Sequence, residues 1–145
     1  MSQPVTAPMS EQDFWAWVER QQDRYEFVDG IPVPRHNADR RHDQITVNLI
    51  GEIGMRLRGH PCRGFTADTA VRTAPTRLRR PDAGVECGEW RDGDYVANEP
   101  RAVVEVLSPT VREFDLLGKL DEYRSVASLR EIVVVEPNAP LAMLW

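Results

Sequence analysis

Residues 102–107, Ala102-Val103-Val104-Glu105-Val106-Leu107, form an apolar run that is interrupted by a single charged side chain, Glu105. Valine dominates the run and Ser108-Pro109 ends it, so the stretch predicts a buried strand in the centre of a sheet. An ionised carboxylate is costly to bury unless a cation or hydrogen-bond donors compensate it. Glu105 therefore predicts either a metal ion or a paired arginine in the interior.

The segments around this strand alternate between helical and extended patterns. Apolar residues at helical spacing predict helices over 11–22 and from about 39 to 58. A third helix is predicted from 115 to about 126. Extended patterns predict a strand pair over 25–33 that turns at Asp29-Gly30, strands over 64–73, 81–87 and 131–136, and the start of another at 141–145. The basic segment 76–80 is interpreted as a loop. This order predicts an α/β (α+β) fold with a central mixed β-sheet flanked by helices.

The length of 145 residues predicts one domain over 10–145, preceded by a flexible tail over 1–9. No apolar run approaches the ~20 residues that cross a bilayer, and the N-terminus lacks a signal-peptide pattern. We therefore expect a cytoplasmic protein without a membrane partner. The chain stops within an apolar segment ending at Trp145, so either the domain is truncated there or its last strand pairs with a partner. We expect a homodimer.

The two cysteines, Cys62 and Cys87, do not form a Cys-x-x-Cys pair, which argues against a thiolate zinc site. In a cytosolic chain a structural disulfide is rare, so both are interpreted as ordinary strand residues.

The net charge of −5 conceals a segregated distribution. Residues 35–80 contain ten arginines and four acidic residues, a net charge of +6, and the remainder carries −11. A local basic patch attracts phosphate even when the total charge is negative. The alternative is that these arginines are simply solvated.

Asp82 and Lys119 point to the same chemistry as Glu105. Asp82 follows Pro81 at the start of a strand and shares a face with Gly84, which leaves room for an ion. Lys119 is the only lysine among 18 basic residues. A compact, tunable ammonium differs from a guanidinium, so we interpret Lys119 as functional. An ordinary Asp115–Lys119 surface pair is the alternative.

Helical spacing places Lys119 on one face with Asp115 and Tyr123, with Leu117 and Leu120 on the neighbouring core face. We expect this helix to pack over the sheet with Lys119 directed at Asp82 and Glu105.

Two earlier residues are weaker candidates. Glu26 lies in a predicted strand, where it either joins the site or faces solvent. His42 lies at the edge of a helical apolar stripe, and we favour a role in the core over one in the cleft.

These motifs together resemble the Uma-type restriction-endonuclease-like family of bacteria, within the PD-(D/E)XK nuclease superfamily. The resemblance is carried by Pro81-Asp82, by residues 104–109 and by Asp115-x-x-x-Lys119-x-x-x-Tyr123. Residues 25–30 and the His42 helix are similar to earlier motifs of the family, and the resemblance spans about residues 10–140. The superfamily lysine usually stands two residues after the acid, where this chain has Leu107. Lys119 resembles a lysine that has moved to the following helix.

The resemblance implies a divalent-metal-dependent nuclease that hydrolyses phosphodiester bonds of DNA. Asp82 and Glu105 would bind Mg²⁺ or Mn²⁺, Lys119 would act on the water or the negative charge, and Glu26 would bind a second ion. The candidate substrate contacts are His42, Arg77, Arg79, Arg80 and Tyr123. Two alternatives stay open: a catalytically inactive nucleic-acid-binding protein on the same fold, and an interaction or scaffold protein with a structural acid cluster.

Overall fold

The computed structural model describes residues 7–35, 38–109, 113–139 and 141–144. Within these ranges the helices are α1 (Glu11–Val18), α2 (Arg40–Arg56) and α3 (Glu113–Arg124). The strands are β1 (Tyr25–Val28), β2 (Ile31–Pro34), β3 (Arg63–Thr66), β4 (Val71–Ala74), β5 (Arg77–Arg79), β6 (Ala83–Glu86), β7 (Pro100–Val106), β8 (Glu131–Glu136) and β9 (Leu141–Leu144).

The larger sheet has the strand order β3-β6-β7-β8-β9, with β7 in the middle. β7 and β8 are parallel and the other neighbours are antiparallel, so the sheet is mixed, as predicted. The valine-rich sequence of β7 fits this position because a central strand is buried on both faces.

Each face of this sheet is covered by one helix. On one face α2 packs partly buried isoleucines and a leucine against a cluster of Ala83, Val104 and Val106. On the other face α3 packs against Val103 and Val134. The prediction of a sheet flanked by helices is confirmed.

The packing of α3 contradicts the expectation that both Leu117 and Leu120 lie on the core face. Leu120 is 2% exposed, as expected, but Leu117 is 51% exposed. Leu116, Leu120 and Tyr123 contact the core, and this i, i+4, i+7 stripe leaves Leu117 on the outer face.

A second sheet, ordered β2-β1-β5-β4, packs against α1. Ser10 caps α1 by accepting a hydrogen bond from the backbone N–H of Asp13. β1 and β2 form the predicted hairpin, in which Asp29 and Gly30 both adopt positive φ angles, 52° and 89°.

The expectation that residues 76–80 form a loop is wrong. Arg77–Arg79 is strand β5, which pairs with β1 and β4. Its centre, Leu78, is 1% exposed, so an apolar residue anchors this otherwise basic segment in the core. The strand predicted over 64–73 is also divided, into β3 and β4, which belong to different sheets.

The interpretation of the cysteines is also wrong, because Cys62 and Cys87 form a disulfide. β3 and β6 are antiparallel neighbours with Arg63 opposite Glu86. The residues just outside that pair therefore face each other, and the Cα atoms of the two cysteines are 4.1 Å apart.

No helix within the described ranges is both long and apolar enough to cross a membrane. β9 lies at the edge of the larger sheet, and Met143 and Leu144 on it are 36% and 68% exposed. Trp145, expected to continue this strand, lies outside the described residues.

Candidate active site

A cleft of about 1100 Å³ contains all four residues proposed from the sequence as catalytic: Glu26, Asp82, Glu105 and Lys119. They come from β1, from the residue just before β6, from β7 and from α3, respectively. The cleft thus lies where the two sheets meet, with α3 forming one wall.

Asp82 immediately precedes β6, and Glu105 lies on the neighbouring strand β7 of the larger sheet. Ala83 pairs with Val104, so the antiparallel register places Asp82 opposite Glu105. Both are buried, at 4% and 7% exposure. The larger sheet therefore presents two facing carboxylates to the cleft.

Protein donors already engage both oxygens of Asp82. Oδ1 accepts a hydrogen bond from Arg35 Nη2 at 2.7 Å and lies 3.2 Å from His42 Nε2. Oδ2 accepts one from the backbone N–H of Val106 at 2.7 Å. Burial acts to raise the pKa of Asp82, but His42, Arg35 and the Val106 N–H hold it below its ordinary value.

The pKa of Glu105 is shifted in the opposite direction from that of Asp82. Burial raises the pKa of its carboxyl to about 7, and the negative charges of Asp82 and Glu26 act in the same direction. The positive charge of Lys119 opposes this shift, as does the Tyr123 hydroxyl, which donates to Oε1 at 2.7 Å. Burial raises the pKa of Tyr123, and the negative charges of Glu105 and Glu26 act in the same direction.

Lys119 is directed into this site, as predicted. Its Nζ atom lies 3.0 Å from Glu26 Oε1, so its partner is an acid from the other sheet. Although burial acts to lower it, the pKa of Lys119 is raised by the negative charges of Glu105 and Glu26. The ammonium therefore stays protonated, which suits stabilisation of negative charge better than removal of a proton from water.

Glu26 is buried, with 4% exposure, rather than facing solvent. Its Oε2 accepts a hydrogen bond from the backbone N–H of Arg80 at 2.7 Å, and Arg79 Nη1 lies 3.6 Å from Oε1. This acid joins β1 to the segment that leads into β6.

The arginines expected to contact substrate have internal partners. Arg79 and Arg77 donate to the two oxygens of Glu122 at 2.6 and 2.8 Å, and Arg77 also pairs with Asp29. Arg80 is 6% exposed and donates to three backbone carbonyls. Charge neutralisation inside the fold is thus the first role of these arginines, and Arg77 is the most exposed of them.

Two other candidate contacts are placed differently from the expectation. Tyr123 is fully buried behind Glu105, so it orients that carboxyl rather than meeting a substrate. The preference for His42 as a core residue is wrong, since its imidazole faces Asp82 and lines the cleft. The hydrogen bond to Asp82 raises the pKa of His42, against the effect of burial.

Arg35 and Glu122 were not identified from the sequence. Arg35 acts across 47 positions on Asp82, and Glu122 across 45 and 43 positions on Arg77 and Arg79. No local spacing encodes such pairs. The only hint is the excess of ten arginines over four acidic residues within 35–80.

The acids of the cleft are the candidate ligands for a divalent ion. Among the described residues, no group of three or more His, Cys, Asp and Glu side chains is arranged to hold a metal. Mg²⁺ does not require three or more such ligands from the protein, because this ion is usually held by one or two carboxylates, water and substrate phosphate. Facing carboxylates at Asp82 and Glu105 fit that requirement.

Comparisons with known proteins agree with this architecture. A family model named Uma2 and described as "Putative restriction endonuclease" matches residues 11–144. An uncharacterized protein of Synechocystis sp. is 28% identical over 133 residues, covering 90% of this chain and 70% of its own length. A second uncharacterized protein of that organism is 25% identical over 122 residues, covering 81% and 69%.

One solved structure has the same fold. It is described as a crystal structure of "a putative nuclease belonging to DUF820" from Anabaena variabilis. It superposes with a TM-score of 0.73 at 14% identity, covering 92% of this chain and 77% of that chain.

Proposed function

The chain belongs to the Uma2 family of restriction-endonuclease-like proteins, and from this premise we propose that it is a divalent-metal-dependent nuclease that hydrolyses phosphodiester bonds of DNA. The observation that carries the proposal is the pair of buried, facing carboxylates, Asp82 and Glu105, in a cleft that also receives Lys119. Buried acids whose pKa values are shifted in opposite directions are typical of functional sites.

The metal site of the proposal consists of Asp82 and Glu105. When bound there, Mg²⁺ or Mn²⁺ supplies Lewis-acid stabilisation and lowers the pKa of a coordinated water. Val106 fixes Asp82 through its backbone N–H, and Tyr123 fixes Glu105 through its hydroxyl. Such supporting hydrogen bonds orient ligands and keep them in place.

Lys119 stabilises the negative charge that develops on the phosphate as the water oxygen bonds to phosphorus and the P–O ester bond breaks. The proton that the water loses balances the proton that the leaving oxygen gains. Glu26 holds the ammonium in position at 3.0 Å. Glu26 thereby serves the reaction through Lys119, and binding of a second ion by Glu26 would require that ion pair to open.

The test is cleavage of supercoiled and linear DNA with and without Mg²⁺. Asp82→Asn and Glu105→Gln should each lower metal-dependent cleavage at least about 100-fold, because removing one electrostatic stabiliser of a transition state costs that much. Lys119→Arg should preserve the fold and lower the rate strongly, since a bulkier guanidinium cannot take the place of the ammonium.

Asp115→Asn is the matched control, because Asp115 is an exposed acid that lines the same cleft. Its rate should equal that of the wild type. Cleavage that survives in the Asp82 and Glu105 variants, or that persists in EDTA, contradicts the proposal.

A second candidate is a catalytically inactive nucleic-acid-binding or interaction protein. It is favoured by the ion pairs through which Arg35 and His42 offset the charge of Asp82 and Lys119 offsets that of Glu26. This candidate predicts that Mg²⁺ leaves the melting temperature unchanged, whereas a metal site predicts stabilisation that Asp82→Asn abolishes.

The proposed assembly is a homodimer formed through the edge strand β9, on which Met143 and Leu144 are exposed. An apolar edge that no described strand covers invites pairing with a second chain.

A further inference from the structure

The guanidinium of Arg35 occupies the place beside Asp82 where the proposed metal ion would bind. It directly follows β2, and its guanidinium donates to Asp82 Oδ1 at 2.7 Å. With His42 Nε2 at 3.2 Å from the same oxygen and the Val106 N–H on the other, Asp82 has a donor at each oxygen. A metal ion can reach Oδ1 only by displacing one of these donors.

The guanidinium of Arg35 can move away from Asp82 while the Arg35 backbone stays in place. The Arg35 N–H donates to the carbonyl of Arg24 at 3.0 Å, which anchors the main chain at the end of β2. The side chain is 22% exposed and lines the cleft, whereas Asp82 is 4% exposed and fixed. A change of side-chain rotamer therefore suffices to move the charge from Asp82 into the open cleft.

The destination of the displaced guanidinium follows from its chemistry. Inside the cleft the charges of Asp82, Glu105 and Glu26 all favour the positive charge of Arg35. A bound divalent ion cancels that attraction, and an incoming phosphate offers oxygens that match a guanidinium in a two-pronged hydrogen bond.

We propose that Arg35 is an exchangeable counter-ion: it holds Asp82 in the metal-free protein, competes with the divalent ion for it, and binds the substrate phosphate once displaced. This inference rests on the proposed function, because it takes Asp82 as a metal ligand. It assigns Arg35 a positioning role without metal and a substrate contact with metal.

Arg35→Gln should change the affinity for Mn²⁺ and the affinity for DNA in opposite directions. Mn²⁺ should bind the variant at least about tenfold more tightly than the wild type, because the competing charged hydrogen bond is gone. A fluorescein-labelled DNA duplex should bind at least about tenfold more weakly in Ca²⁺, because the phosphate contact is gone. Calorimetry measures the affinity for Mn²⁺, and fluorescence anisotropy measures the affinity for DNA.

Arg24→Gln is the matched control. Arg24 also lines the cleft, but it pairs with exposed Asp68 and has no contact with Asp82. If Arg35 acted only through the general charge of the cleft, both variants would change Mn²⁺ affinity alike. We expect less than about a twofold change for Arg24→Gln, since an exposed pair is well screened.

The outcomes separate this proposal from the one on which it rests. Should the wild type bind no Mn²⁺, or Asp82→Asn bind it equally well, the proposed function fails and the inference fails with it. If Asp82→Asn abolishes binding while Arg35→Gln leaves Mn²⁺ affinity unchanged or weaker, only the inference is overturned. Unchanged DNA affinity overturns the phosphate contact.

Arg35→Lys keeps the test decisive if Arg35→Gln does not fold. Lysine preserves the charge but has a shorter reach and lacks the planar fork, so Mn²⁺ should again bind more tightly and DNA more weakly. Wild-type affinities for both ligands in this variant would overturn the proposal.

Discussion

The carboxyl group of Glu105 lies inside the larger sheet, close to the charges of Asp82 and Glu26. Its pKa of about 7 means that near neutral pH it exchanges its proton readily, while Asp82 stays ionised. Two acids with separated pKa values in one cleft can share a site without both carrying full negative charge in the metal-free protein.

The stability of the metal-free protein should therefore decrease as pH rises from about 5 to about 8. A native pKa of about 7 against an ordinary 4.5 means that folded Glu105 binds a proton more tightly than the unfolded chain does. Its contribution is complete below the ordinary pKa and is lost as pH rises through the native one, by up to about 3 kcal/mol. Urea denaturation in EDTA across this range measures it.

Glu105→Gln isolates this contribution, because it removes the titrating group and keeps an oxygen to accept from Tyr123. His42 has a raised pKa and acts in the same direction, but it is present in both proteins. Asp82, with a lowered pKa, loses its contribution only as pH falls through its native pKa. The variant should lose less stability with rising pH, and equal slopes for the two proteins would refute the assignment.

At the scale of single elements, the pairing of β3 with β6 depends on Gly84. Phe65 pairs with Gly84 across the two strands, and its ring covers the glycine. A Cβ at position 84 would lie 2.2 Å from Phe65 Cζ, well inside van der Waals contact. β6 therefore approaches β3 only because this position lacks a side chain.

Gly84→Ala should lower the free energy of unfolding by about 1–3 kcal/mol, the usual cost of overpacking a core. Gly51→Ala in α2 is the matched control, because a Cβ there meets no atom within 4 Å. It should raise stability by up to about 1 kcal/mol, since alanine favours a helix. Chemical denaturation compares them, and a neutral Gly84→Ala would contradict the packing argument.

Local patterns explain which elements could be predicted from the sequence. β7 and β8 are short valine-rich runs that lie in the core, and α2 carries Ile45, Leu49 and Ile53 at helical spacing, partly buried against the sheet. The sequence predicts a loop in place of β5 because three arginines and a threonine in five residues are typical of an exposed loop. The acidic partners of Arg77 and Arg79, which are Asp29 and Glu122, are more than 40 residues away in the chain.

Some residues of the candidate site could likewise be predicted from local sequence patterns, and others could not. Glu105 and Lys119 could be identified because each is conspicuous where it stands, as a charge in an apolar run and as the single lysine. Arg35 could not, since its importance comes only from its approach to Asp82 in the folded chain. The same holds for Cys62 and Cys87, which are adjacent only through the pairing of β3 with β6.

At the scale of the whole molecule, the homodimer stays a prediction. Pairing of β9 with a second chain would bury Met143 and Leu144, which are exposed in the single chain. We expect sedimentation equilibrium at micromolar concentration to give twice the mass of 16.5 kDa. Leu144→Lys should shift the protein to monomer, because a charge on an edge strand opposes pairing. A wild-type monomer at that concentration would contradict the prediction.

The position of the cleft between two sheets has a consequence for local opening. The backbone N–H of Arg80 is bonded to Glu26 on the smaller sheet, and that of Val106 to Asp82 on the larger one. Amide hydrogen exchange at these two sites therefore reports separately on the loosening of each half. A ligand that bridges Glu26 and Asp82 would bring the two exchange rates together, so that two independent fluctuations become one cooperative event.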